Sequence, residues 1–166
     1  MTRRIQFLFV GLLLIGAFNA VSAHTRSPSP EYVDTLLPGY LSVQNALAED
    51  DLTAAKTAAR SLLKSVIRGP KNLSLSSSVS RISKARDLAH ARQSFARVTS
   101  AILHLVEEVG TTGKLSLFLW ECSQTEAGGR DIWLQSDQVA RNPYHHKTAP
   151  NCPKIRRQLA HQKSLP

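Results

Sequence analysis

Methionine is nearly absent, with Met1 the only one in 166 residues, and sulfur is otherwise confined to Cys122 and Cys152. Soft ions such as Cu(I) favour sulfur ligands, so only two residues beyond the N-terminus could supply them. The cysteines do not form a Cys-x-x-Cys pair, which argues against a thiol oxidoreductase. Acidic residues are also scarce, 12 against 21 Lys and Arg, for a formal charge of +9. There is no GxSxG, HExxH, Walker loop or paired-carboxylate arrangement, so nothing points to an enzyme. Gly128-Gly129 reads as a turn and not as a phosphate cradle. No internal repeat is present.

What is there begins with Arg3 and Arg4, a short apolar run Ile5–Gly16, and small residues Val21 and Ala23. This pattern is a secretory signal, residues 1–23, cut after Ala23. An uncleaved anchor is the alternative, although the run is shorter than the about 20 residues of a membrane span. Either reading places the rest in an oxidising compartment, periplasmic or secreted. Cleavage leaves 143 residues (166 − 23), enough for one domain, with no transmembrane span. It removes Arg3 and Arg4, lowering +9 to +7. Such a charge suits lipid headgroups, acidic glycans or acidic protein surfaces, while export argues against nucleic acid.

Residues 24–35 read as a flexible N-terminal segment opening on "HTRSPSP". Residues 36–153 form a single helical domain, and residues 154–166 a basic, weakly helical tail. The first helix is expected from Pro38, with Tyr40, Val43 and Leu47 at helical spacing and Asp50-Asp51 as a break. A second helix, Asp51–Arg68, buries Leu52, Ala55, Ala59, Leu62 and Val66 and stops at Gly69-Pro70. Its other face carries Lys56, Arg60, Lys64 and Arg68, either an anion-binding surface or a solvated face. After a polar linker, residues 71–78, a long helix is expected over Ser80–Val109. Leu88, Phe95, Ile102 and Val109 repeat every seven residues there, with Ala91, Val98 and Leu105 between them. His90 and His104 lie about 21 Å apart on that helix and cannot share a metal. "KLSLFLW" and "DIWLQ" would pair as a hairpin, with Trp120 and Trp133 stacked across it. The fold class is therefore mainly α: a three-helix bundle, or a four-helix one, with a short β-hairpin and a C-terminal loop packed on it.

Residues 120–153 hold both cysteines and His145-His146, and admit three readings. Cys122, Cys152, His145 and His146 form an S₂N₂ donor set for zinc or copper, but the spacing matches no standard zinc motif. Neighbouring side chains in extended chain point to opposite sides, so the two histidines need not converge. Alternatively the cysteines form a disulfide, as two cysteines in an exported chain normally do. It would pin the hairpin to the turn at Asn142-Pro143-Tyr144. Oxidised sulfurs supply no thiolate, so these readings exclude each other. A pair of thiols with neither bond nor metal is the third.

"GYLSVQNALAEDDLTAAKTAARSLL", "ARQSFARVTSAIL" and "ECSQ…WLQ…RNPYHHKTAPNC" together resemble a periplasmic family, domain of unknown function 3347, over about Leu36–Pro153. The chain resembles a divergent member. Cys122-Ser123-Gln124 stands where the family usually reads Cys-Pro-Met, and His145-His146 where it has an aromatic and a Gly. Ala149 falls near a second Met of the family, and Cys152-Pro153 replaces Cys-Gly. Relatives in this family occur beside, or fused to, copper and heavy-metal efflux adaptors. The resemblance thus implies a non-catalytic, exported envelope accessory protein with weak or lost copper or heavy-metal binding. A metal-efflux adaptor or another envelope protein would be its partner. The alternative is an interaction module holding an anionic envelope partner on Lys56, Arg60, Lys64 and Arg68.

Overall fold

The computed structural model describes residues 27–71, 73–123, 131–145 and 152–159. The expected signal segment, Gly128-Gly129, His146 and the end of the basic tail lie outside them. Four helices come first: α1 (Pro30–Ala48), α2 (Leu52–Arg68), α3 (Leu73–Ser83) and α4 (Leu88–Glu108). Three strands follow: β1 (Leu117–Cys122), β2 (Asp131–Gln135) and β3 (Lys154–Leu159). The class is mainly α, with a small antiparallel sheet.

α1 starts at Pro30 and not at Pro38. Ser29 accepts the Tyr32 N–H, Pro30 needs no N–H in the first turn, and Glu31 meets the positive helix end. Pro38 falls inside, where its missing N–H removes one intrahelical bond. Burial offsets that cost. Val33, Leu36 and Leu37 before it, and Tyr40, Val43 and Leu47 after it, are all withdrawn from solvent. At the next residue, a Cβ on Gly39 would lie 3.0 Å from the Cα of Leu62 on α2. The bare backbone there permits the close crossing of the two helices.

The Asp50-Asp51 pair works as a hinge between helices. Asp50 takes the left-handed conformation (φ 57°) that ends α1. Asp51 caps α2 by accepting the Ala54 N–H at 2.8 Å. α2 then buries Ala55, Ala59, Leu62 and Val66 of the expected stripe, leaves Leu52 half-buried against the core, and stops at Gly69.

The expected long helix over Ser80–Val109 is instead two helices, and most of the expected linker belongs to the first of them. Leu75, Val79 and Ile82 of α3 are fully buried at helical spacing. Serines favour caps and turns in isolation, but burial of three aliphatic side chains outweighs that weak preference. Asp87 breaks the run by accepting the His90 N–H at 2.8 Å, which caps α4. From there the seven-residue stripe holds: Ala91, Phe95, Val98, Ile102 and Leu105 are buried.

β1 is the central strand, in the order β2-β1-β3, and all six of its residues are buried. Trp120 pairs with Trp133 on β2, and their rings stack with centroids 6.0 Å apart. β3 replaces the expected helical tail, because β1's second edge offers it a ladder. A register shift between Leu119 and Trp120 bends that pairing, and Arg157 pairs with Glu107 of α4. Tyr40 ties sheet to bundle. Its hydroxyl accepts the Leu134 N–H at 3.0 Å and shares a 2.9 Å hydrogen bond with Thr99, while its ring stacks on Phe95.

Candidate functional site

The cysteines meet because β1 ends at Cys122 and the chain returns through Cys152 to begin β3. They are joined in a disulfide with Cα atoms 5.1 Å apart, both buried. Asp131 stands opposite Cys122 in the β1–β2 register. One oxygen of its carboxylate lies 3.0 Å from His145 Nε2, and both side chains are largely shielded. Burial pushes the Asp131 carboxyl above its usual range, and the charge and hydrogen bond of His145 pull it back part of the way. The disulfide, Asp131 and His145 thus gather at one end of the sheet.

Of the donors in the expected S₂N₂ set, two sulfurs are bonded to each other and His145 is engaged by Asp131; His146 is outside the described residues. Among the described residues, no three His, Cys, Asp or Glu side chains are grouped for a metal ion. With the cysteines oxidised and no methionine nearby in sequence, the donors present do not fit a soft-metal site. His90 and His104 are both exposed and bonded locally, to Asp87 and Glu108.

The loop between β2 and His145 is held by polar contacts that the sequence did not advertise. Buried Gln135 accepts the Arg141 N–H at 3.1 Å and donates to the carbonyl of Val139 at 2.5 Å, folding the loop around itself. Gln44 donates to the Arg141 carbonyl at 2.6 Å. Arg92 of α4 donates to the carbonyls of Pro143 (2.8 Å) and Leu47 (3.1 Å) and pairs with Asp50. The Tyr144 hydroxyl donates to the Ile132 carbonyl at 3.0 Å. No local signal marks these partners, which are brought together over separations of up to 97 residues.

On the basic face of α2 the four cations have different duties. Lys56 donates to the Ala85 carbonyl at 3.0 Å and so braces the α3–α4 break. Arg60 bonds only the Thr57 hydroxyl, at 2.8 Å. Lys64 and Arg68 are exposed and make no ion pair among the described residues. Among the described residues, Lys64, Arg68 and the remaining donors of the Arg60 guanidinium are thus left for an anion.

A second basic surface was missed because α3 was hidden in the supposed linker. Between α3 and α4 lie two hollows of about 550 and 500 Å³ that share Arg97. The larger is lined by Arg81, Lys84, Arg86, His90 and Arg97. The smaller adds Ser74, Ser78, Ser100 and His104. Helical periodicity over residues 75–82 was the signal available for finding it.

Residues 36–114, from within α1 to just ahead of β1, match the model of a family described as Protein of unknown function (DUF3347). The match supports that family for the helical bundle, while the sheet and the disulfide lie beyond it. No curated protein and no solved structure matches the chain.

Proposed function

We propose that this chain is a non-catalytic, exported accessory domain of the cell envelope that holds an anionic partner on its helical surface. The observation that carries the reading is the outer face of α2, where Arg60, Lys64 and Arg68 project without a carboxylate partner among the described residues. The disulfide accords with an oxidising compartment. The family resemblance supplies the metal-efflux setting, in which a metal-efflux adaptor is a candidate partner. The engagement of the sulfurs with each other, and of His145 with Asp131, favours metal binding that is weak or lost.

Co-sedimentation of the processed chain with isolated envelope fragments tests the α2 face. Reversing Arg60, Lys64 and Arg68 to Glu should lower the bound fraction at least fivefold in low salt, and raising salt should do the same to the unaltered protein. Binding that survives both treatments would return this face to a solvated surface.

A further inference from the structure

We propose that the groove between α3 and α4 is a binding site for an extended anionic glycan, gripped by Arg81, Lys84 and Arg97. This rests on the reading that the partner is anionic, and adds a concave site to the convex α2 face.

Charge is the first argument. Arg81, Lys84 and Arg97 converge on the groove, and none makes an ion pair among the described residues. The nearby carboxylates are taken up at the margins: Asp87 holds Arg86 and His90 at one end, and Glu108 holds His104 at the other. The middle keeps the excess positive field, focused by a recess. Lys56, donating to the Ala85 carbonyl, also offsets the negative C-terminal end of α3 beside the groove. Two arginines offer forked donors to sulfate, phosphate or carboxylate groups.

Shape and lining choose among anions. The two hollows, which share Arg97, follow one another along α4 from His90 to Leu105, about 22 Å at the helical rise and far longer than one small anion requires. Exposed Gln93 both donates and accepts, and the Ser100 hydroxyl, which donates to the Ala96 carbonyl, still accepts, as sugar hydroxyls require, while Ser78 and Ser94 lie nearly buried beneath. A membrane surface is the poorer match. Interfacial binding buries apolar side chains, yet none of the exposed large apolar residues Ile67, Leu115, Val139 and Ile155 lines the groove.

The test uses the processed chain and a size-defined sulfated octasaccharide, followed by calorimetry and by amide shifts. Arg81→Glu/Arg97→Glu should weaken binding at least tenfold. Lys71→Glu/Lys114→Glu, an equal change of charge at exposed residues outside both hollows and off the α2 face, should leave it within twofold. A neutral dextran oligomer should not bind, and inorganic phosphate at the same anion concentration should not compete. Shift changes in the unaltered protein should cluster on residues 78–104, which decides the matter even if the groove variant fails to fold. Equal losses from the two double variants would reduce the effect to net charge and overturn the site. So would competition by phosphate, shifts centred elsewhere, or binding to anionic phospholipid vesicles in preference to the saccharide. Failure here with α2-dependent envelope binding intact would remove only the groove, and the converse result only the α2 face.

Discussion

Single polar residues carry more of this structure than their number suggests. Tyr40 joins α1, α4 and β2 through one hydroxyl, and burial holds its phenol far above the usual range, so it stays neutral and serves as donor and acceptor. The Asp131–His145 contact is the residue-scale feature most open to titration. A carboxyl whose folded pKa is raised binds its proton more tightly when native, so its stabilising contribution is lost as pH rises through that value. His145 moderates this by favouring the charged carboxylate. His145→Ala should therefore move the Asp131 titration midpoint upward, and widen the range above about pH 4 over which stability falls. Carbon-13 titration of the carboxyl reads the first effect. A midpoint that stays or drops would show that His145 does not supply the moderating charge.

At the scale of elements, caps and close approaches decide where helices begin and stop. Ser29, Asp51 and Asp87 each accept an N–H in the first turn of a helix, and each was readable as a capping residue type. The Pro38 start and the continuous Ser80–Val109 helix were misread because local rules compete. A proline suits a first turn, but apolar burial on both sides of Pro38 carries the helix through it. The end of α2 depends on an absence. A Cβ on Gly69 would come within 1.9 Å of the Tyr32 ring, although the backbone there is open to any residue. Gly69→Ala should cost about 1–3 kcal/mol in urea unfolding, as overpacking does. The same change in a Tyr32→Ala background should be close to neutral. Equal cost in both would place the effect in the backbone and not in the ring.

At the scale of the whole molecule, one apolar core runs through the helices, β1 and β2, and β3 lies at its margin. β3 is exposed along nearly its whole length and is held by its ladder, by Cys152 and by ion pairs to Glu121 and Glu107. Closing a separation of 30 residues removes unfolded-chain entropy worth about 3.5 kcal/mol. Replacing both cysteines with serine should lower stability by roughly that amount. Amide exchange should show residues 154–159 losing protection first, while Phe95–Ile102 on α4 keep theirs. Simultaneous loss in both regions would mean that β3 opens only together with the core.

Legible in the residues alone were the α-rich class, the α2 stripe, the heptad stripe of α4 and the pairing of Trp120 with Trp133. Each is a short-range periodicity, and burial of a periodic apolar face follows from the hydrophobic effect whatever the rest of the chain does. Long-range packing placed Pro38 within a helix, made a serine-rich run α3 and turned the start of a basic tail into β3. It also put His145 on Asp131, Arg92 across two chain segments, and Arg81, Lys84 and Arg97 in one groove. A proline inside a helix costs about 3 kcal/mol and the other local preferences a few tenths per residue, and what outweighs them comes from parts of the chain far away in sequence.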